Sequence, residues 1–173
     1  MGSLTASPSA RNVARAVFNS PYELGLRMVY LLSAIGADGA DLQKLVLLDY
    51  AVIYSGDLDG PPSLHTPVPF RGNEMLTRRA LIEQGLQLMS TRGLVDARLT
   101  ANGVIFNSGP SSRALTGSVS APYCRQLEAR CEWAAKKFAS RDSIALTQIF
   151  NDLGHRWGAE LADFALDGGR QWE

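Results

Sequence analysis

Apolar residues recur at helical spacing over most of this chain and switch to the shorter period of strands only between Gly93 and Asn107. The first helix begins at Ser20-Pro21-Tyr22-Glu23, where serine suits the N-cap, proline the first helical position and glutamate the third position of a capping box. Leu24, Met28, Leu31, Leu32 and Ile35 form its stripe, and Gly36 stops it. Leu26, Val29 and Tyr30 are apolar too, so the helix is greasy nearly all round and is either central in a core or covered by a partner. A second helix, capped by Asp38 or Asp41, places Leu42, Leu45, Val46, Val52 and Ile53 on one face. Asp49 falls on that same stripe, either accepting hydrogen bonds from a loop or acting as a catalytic acid.

From Gly56 to Gly72 the pattern breaks at four prolines and three glycines, with Asp57, Asp59 and His65 among them. A loop this long inside a compact domain is usually functional or disordered. A third helix starts near Asn73, with Met75, Ile82, Leu86 and Met89 inward and Thr77, Arg79, Glu83, Gln84, Gln87 and Thr91 outward. It runs to Gly93 and feeds two short apolar runs joined by Asn102-Gly103, the strongest short-range hairpin signal because both residues tolerate positive φ. A helix leading into a tight hairpin is the outline of a winged helix. Beyond it, Gly109-Pro110 can open a short helix, and Ser120 with Pro122 starts a longer one carrying Cys124, Leu127, Cys131, Ala134 and Phe138 at coiled-coil spacing. Two heptads favour packing on the chain's own domain. Asp142 caps a helix with Ile144, Ile149 and Phe150, and Trp157, Leu161 and Phe164 mark a last one. The predicted class is α+β, mostly helical: a disordered or weakly ordered tail over 1–17, a winged-helix-like core with one β-hairpin wing over 18–117, and a C-terminal helical extension over 118–173, packed on that core or on a partner.

Formal net charge is zero, so nothing global draws the chain onto a phosphate backbone. Charge is nevertheless uneven: two basic against six acidic residues over 21–70, then six against three over 71–113. Arg78, Arg79, Arg92 and Arg98 are therefore the candidate DNA phosphate contacts, although a groove-reading helix normally offers more cations than the outward face of the third helix does. Cys124 and Cys131 lie two helical turns apart, roughly 10 Å, beyond disulfide reach, and read as buried thiols of a cytosolic protein. No apolar run is long enough to span a membrane, and the first residues lack the pattern of a signal peptide. The expectation is a cytoplasmic chain.

Catalytic patterns are missing from the sequence. There is no phosphate-binding loop of the G-x-x-x-x-G-K-[ST] kind, and no spacing singles out a nucleophilic triad. Asp57 and Asp59 begin like a calcium loop, but Pro61 takes the next ligand position and no glutamate follows at the twelfth. His65 and His155 stand apart from any zinc pattern. The chain reads as a non-enzyme without metal or cofactor. An enzyme using Asp49, Asp57, Asp59 or His65 is the competing reading.

Several segments together carry a family likeness: 18–27 (FNSPYELGLR), 42–46 (LQKLV), 48–50 (LDY), 55–57 (SGD), 63–65 (SLH) ahead of Pro69, and Arg78-Arg79 with 93–95 (GLV). Over about 18–140 the chain resembles the middle component of bacterial three-component ABC systems, which include the Lamassu anti-phage and anti-plasmid systems. The resemblance implies a non-catalytic accessory subunit. Its partners would be a dimeric ATPase like those of structural maintenance of chromosomes, which would hold ATP and magnesium, and an effector subunit, often a nuclease. DNA contact by this chain would then be indirect or weak. A bulky apolar anchor in an exposed loop can dominate such an interface, so Leu64, His65, Phe70 and Leu76 are the candidate partner-binding residues. The alternative is a DNA-binding winged-helix transcriptional regulator.

Overall fold

A computed structural model describes residues 20–66 and 71–154, with the backbone alone for 71–77. The tail, Phe70, the side chains of Met75 and Leu76, His155 and the helix expected around Trp157, Leu161 and Phe164 lie outside the described residues. The described chain is mostly helical, with one two-stranded antiparallel hairpin.

Helix α1 (Pro21–Ile35) starts where Ser20, in extended backbone, accepts the Glu23 N–H at 3.3 Å on its hydroxyl. It ends at Gly36, whose φ of 82° suits glycine and whose N–H caps the Leu32 carbonyl at 3.0 Å. Leu24, Met28, Val29, Tyr30, Leu31 and Leu32 are all buried. Of the two readings of this apolar helix, the structure selects the first: α1 is central. Helix α2 (Leu42–Ile53) is capped by Asp41, which accepts from the Lys44 N–H at 2.7 Å. Asp41 also accepts from the Ser143 hydroxyl at 2.6 Å, so one side chain ties the start of α2 to the C-terminal part of the chain.

A 3-10 turn (Ser55–Leu58) follows, and the proline-rich loop is folded back on it. The Ser55 hydroxyl donates to the Pro61 carbonyl at 2.8 Å, and the Leu64 N–H donates to the Ile53 carbonyl at 2.9 Å. Helix α3 (Arg71–Ser90) buries Ile82, Leu86 and Met89 against α1. Strands β1 (Val95–Thr100) and β2 (Gly103–Ser108) then pair from Val95↔Ser108 to Thr100↔Gly103.

The hairpin loop differs from the expected type I′ turn. Its two central residues are Ala101 and Asn102, and positive φ falls on Gly103 alone, at 116°. The Thr100 hydroxyl sets this geometry by accepting the Asn102 N–H at 3.3 Å and donating to the Gly103 carbonyl at 2.8 Å. Such a local bond lets one glycine carry the unusual conformation that a type I′ turn requires of two residues. On its other edge β2 pairs with Ala40, which exchanges hydrogen bonds with Phe106 at 3.0 and 2.9 Å. One residue of the connection between α1 and α2 thus extends the hairpin on that edge.

Helix α4 (Ser112–Ser118) is short, and α5 (Pro122–Phe138) has Ala121 rather than Ser120 at its N-cap. Leu127, Cys131, Ala134 and Phe138 of α5 are buried in the same core as α1 and α2, so the coiled-coil-like seam is filled by the chain's own domain. Helix α6, described over 143–154, adds Leu146, Phe150 and Leu153 to that core.

Candidate functional site

The most chemically distinctive place in the fold is a buried charge cluster. Arg27 projects from α1, Asp49 from α2 and Arg78 from α3, at 1%, 1% and 6% exposure. Arg27 donates from Nε to Asp49 Oδ1 at 2.9 Å and from Nη2 to Oδ2 at 3.2 Å. Arg78 Nη1 adds a third bond to Oδ2 at 3.2 Å and stacks its guanidinium over the Tyr54 ring, 5.9 Å from the centroid. Burial disfavours the Arg27 cation, but the facing Asp49 carboxylate outweighs it and holds the pKa above the usual arginine value.

The cluster reaches toward solvent through Glu23, whose Oε1 lies 3.5 Å from Arg27 Nη1. Burial raises the Glu23 pKa, while Arg27 pulls it back. Half-exposed Tyr123, on α5, lies beside Arg27; its pKa is raised by burial and lowered in part by Arg27. His65 stacks on Tyr123 with its Nε2 3.2 Å from the phenol oxygen. Both oxygens of Asp49 accept from arginine, which suits a tie between three helices. The expected donors were loop groups; the actual ones are helix arginines, 22 and 29 residues distant in sequence.

The remaining sequence candidates have separate surroundings. Asp57 accepts from the Tyr50 hydroxyl at 2.7 Å. Asp59 takes a left-handed backbone, φ 55°, to end the 3-10 turn. Among the described residues no group of three or more histidines, cysteines or acids is placed to hold a metal. Arg78 is withdrawn into the core, correcting its place among the candidate phosphate contacts, because its guanidinium is held on Asp49. Arg79, Arg92 and Arg98 are exposed, donating to Gln43 at 2.7 Å, to the Leu88 carbonyl at 3.0 Å and to Asn107 at 2.8 and 3.1 Å respectively.

Leu64 is half-buried against the core rather than projecting. Helix α5 grips the described part of its loop: Arg130 Nε donates to the Pro62 carbonyl at 2.9 Å, Lys137 reaches the Leu58 carbonyl, and Trp133 packs against Gly60. The loop expected to meet a partner is thus held by the chain's own helix.

A family model described as the ABC-three component (ABC-3C) system Middle Component 2 matches residues 17–160, most of the chain. The chain belongs to the ABC-3C Middle Component 2 family. No curated protein and no solved structure matches it significantly. As the middle component of a multi-component system, it implies partner proteins. Among the described residues no helix is long and apolar enough to cross a membrane.

The surface of this Middle Component 2 protein carries one feature that sequence reading missed. Leu99 and Val104 are directly opposite each other at the hairpin tip, 86% and 42% exposed. They continue the face that begins at buried Val95 and passes through half-buried Phe106, since alternate strand residues share a side. The signal was available in the register, but periodicity alone does not say where along a hairpin the covering core ends.

Proposed function

We propose that this chain is a non-catalytic adaptor that joins an ATPase resembling those of structural maintenance of chromosomes to an effector, in a system such as Lamassu that defends a bacterial cytoplasm against phage and plasmids. The observation that carries the reading is the family match over 17–160. In this account ATP and magnesium are bound by the partner ATPase, and the effector, a nuclease, does the cutting. The bonding of both Arg27 and Arg78 to Asp49 supports a structural use of the most buried charges among the described residues.

A winged-helix core is part of the proposal. The order α1, Ala40 bridge, α2, α3, β1, β2 supports it, with the bridge as the short first strand and the hairpin as the wing. The exposed Leu99 and Val104 at the wing tip are suited to protein contact, because a desolvated apolar anchor contributes more to an interface than the polar rim around it. Co-expression with the products of the adjacent genes tests the reading. One complex at low salt is expected, and separate elution of this chain refutes it.

The second reading, a DNA-binding regulator, draws on exposed Arg79, Arg92 and Arg98. Sequence-dependent DNA binding by the isolated chain, weakening steeply as salt rises, would favour it over the adaptor.

A further inference from the structure

A cleft of about 670 Å³ opens where the end of α1, the hairpin and α4 meet, and the adaptor reading makes no use of it. That volume suits a small metabolite. Among the described residues, the cationic side chains lining it are Arg98 and Arg113, the carboxylate is Asp96, and no aromatic ring lines it. Arg98 is held in place: Nε and Nη2 both donate to Asn107 Oδ1, and Asn107 Nδ2 is anchored on the Ala37 carbonyl at 2.9 Å. Among the described residues, Arg98 Nη1 and the Arg113 guanidinium have no hydrogen-bond or ion-pair partner.

The hydroxyls of the cleft complement those cations. Ser33 donates its proton to the Val29 carbonyl at 2.7 Å while accepting a long contact from the Ser108 hydroxyl at 3.5 Å, Ser112 donates to the Gly109 carbonyl at 2.7 Å, and Thr116 to the Arg113 carbonyl at 3.4 Å. With their protons so placed, these oxygens offer lone pairs, as Asp96 does. The lining therefore asks for a ligand that carries both an anionic group and several hydroxyl donors.

We propose that this cleft binds a phosphorylated sugar, its phosphate held by Arg98 and Arg113 and its hydroxyls donating to Asp96, Ser33 and Ser112. Guanidinium forks match phosphate oxygens in geometry as well as charge. Among the described lining residues there is no stacking ring, which directs recognition to the sugar–phosphate part rather than to a base. The inference stands apart from the adaptor reading.

Isothermal titration of the full chain with ribose 5-phosphate, ribose, inorganic phosphate and a 5′-phosphorylated DNA oligonucleotide tests it. Binding of ribose 5-phosphate alone identifies a free metabolite as the source; binding of the oligonucleotide as well identifies a nucleic-acid end. Either result supports the site, provided Arg98→Ala and Arg113→Ala each weaken binding about tenfold, as loss of one charge-assisted contact implies. Both side chains are exposed, so thermal melting of the variants should match that of the parent. No binding of either phosphorylated probe overturns the proposal. So does affinity unchanged in both variants, ribose binding as tightly as ribose 5-phosphate, or inorganic phosphate binding as tightly as the sugar phosphate.

Discussion

Arg27 on α1 and Asp49 on α2 form a two-pronged ion pair in the interior, with both carboxylate oxygens engaged at 2.9 and 3.2 Å. With Arg78 bonded to the same carboxylate, the pair fixes three helices against one another. Removing the anion leaves two buried cations facing each other. Asp49→Ala should destabilise the fold by about 3–5 kcal/mol, read from urea unfolding, because an uncompensated buried charge is far more costly than a lost pair. A catalytic role for Asp49 predicts instead a variant that unfolds like the parent yet abolishes activity.

Helices α1 and α3 touch backbone to backbone through Gly25 and Gly85. A Cβ on Gly85 would lie 2.5 Å from the Pro21 carbonyl oxygen and 2.6 Å from the Gly25 nitrogen. No side-chain rearrangement relieves a clash with main chain, so Gly85→Ala should cost about 3 kcal/mol despite improving helix propensity. Thermal unfolding of the variant checks it; an unchanged melting temperature would mean that the helices do not approach this closely.

Tyr30 is buried with no nitrogen or oxygen partner for its hydroxyl, which faces the Cys124 thiol. Burial, reinforced by that thiol, pushes its pKa up to about 12 from an ordinary 10.0. The folded state holds the proton more tightly than the unfolded chain does. This group's contribution is therefore complete below the unfolded value and is lost as pH climbs toward the folded one. Tyr30→Phe should stabilise the protein by about 1 kcal/mol at neutral pH and flatten its alkaline destabilisation, measured by denaturation between pH 8 and pH 12 (roughly the titration window).

The hairpin tip separates stability from assembly. Replacing Leu99 and Val104 together by serine should change unfolding free energy by no more than about 0.5 kcal/mol, since both are already exposed. The same pair of changes should weaken retention of this chain on its partner proteins. Wild-type retention would remove the tip from the interface.

Local signals were the legible ones. Ser20 and Asp41 cap helices through atoms three residues away, and Leu127, Cys131, Ala134 and Phe138 are buried as their spacing requires. The hairpin itself was also plain, although Thr100 moved the loop by one residue from Asn102-Gly103 to Ala101-Asn102. What stayed hidden was long-range. Arg27 reads as one polar residue in a greasy helix until Asp49 is found beside it, and Arg78 reads as a surface cation for the same reason. The Ala40 bridge is a single residue, too short for any period, and the grip of α5 on the proline-rich loop joins positions 68 residues apart.

As proposed here, this chain holds two larger proteins together and performs no reaction itself. Reconstitution of the ATPase and the effector with and without it, followed by size-exclusion chromatography, tests that most directly. ATPase and effector are expected to share a peak only when this chain is present. Co-elution of the two in its absence, at the same yield, would contradict it.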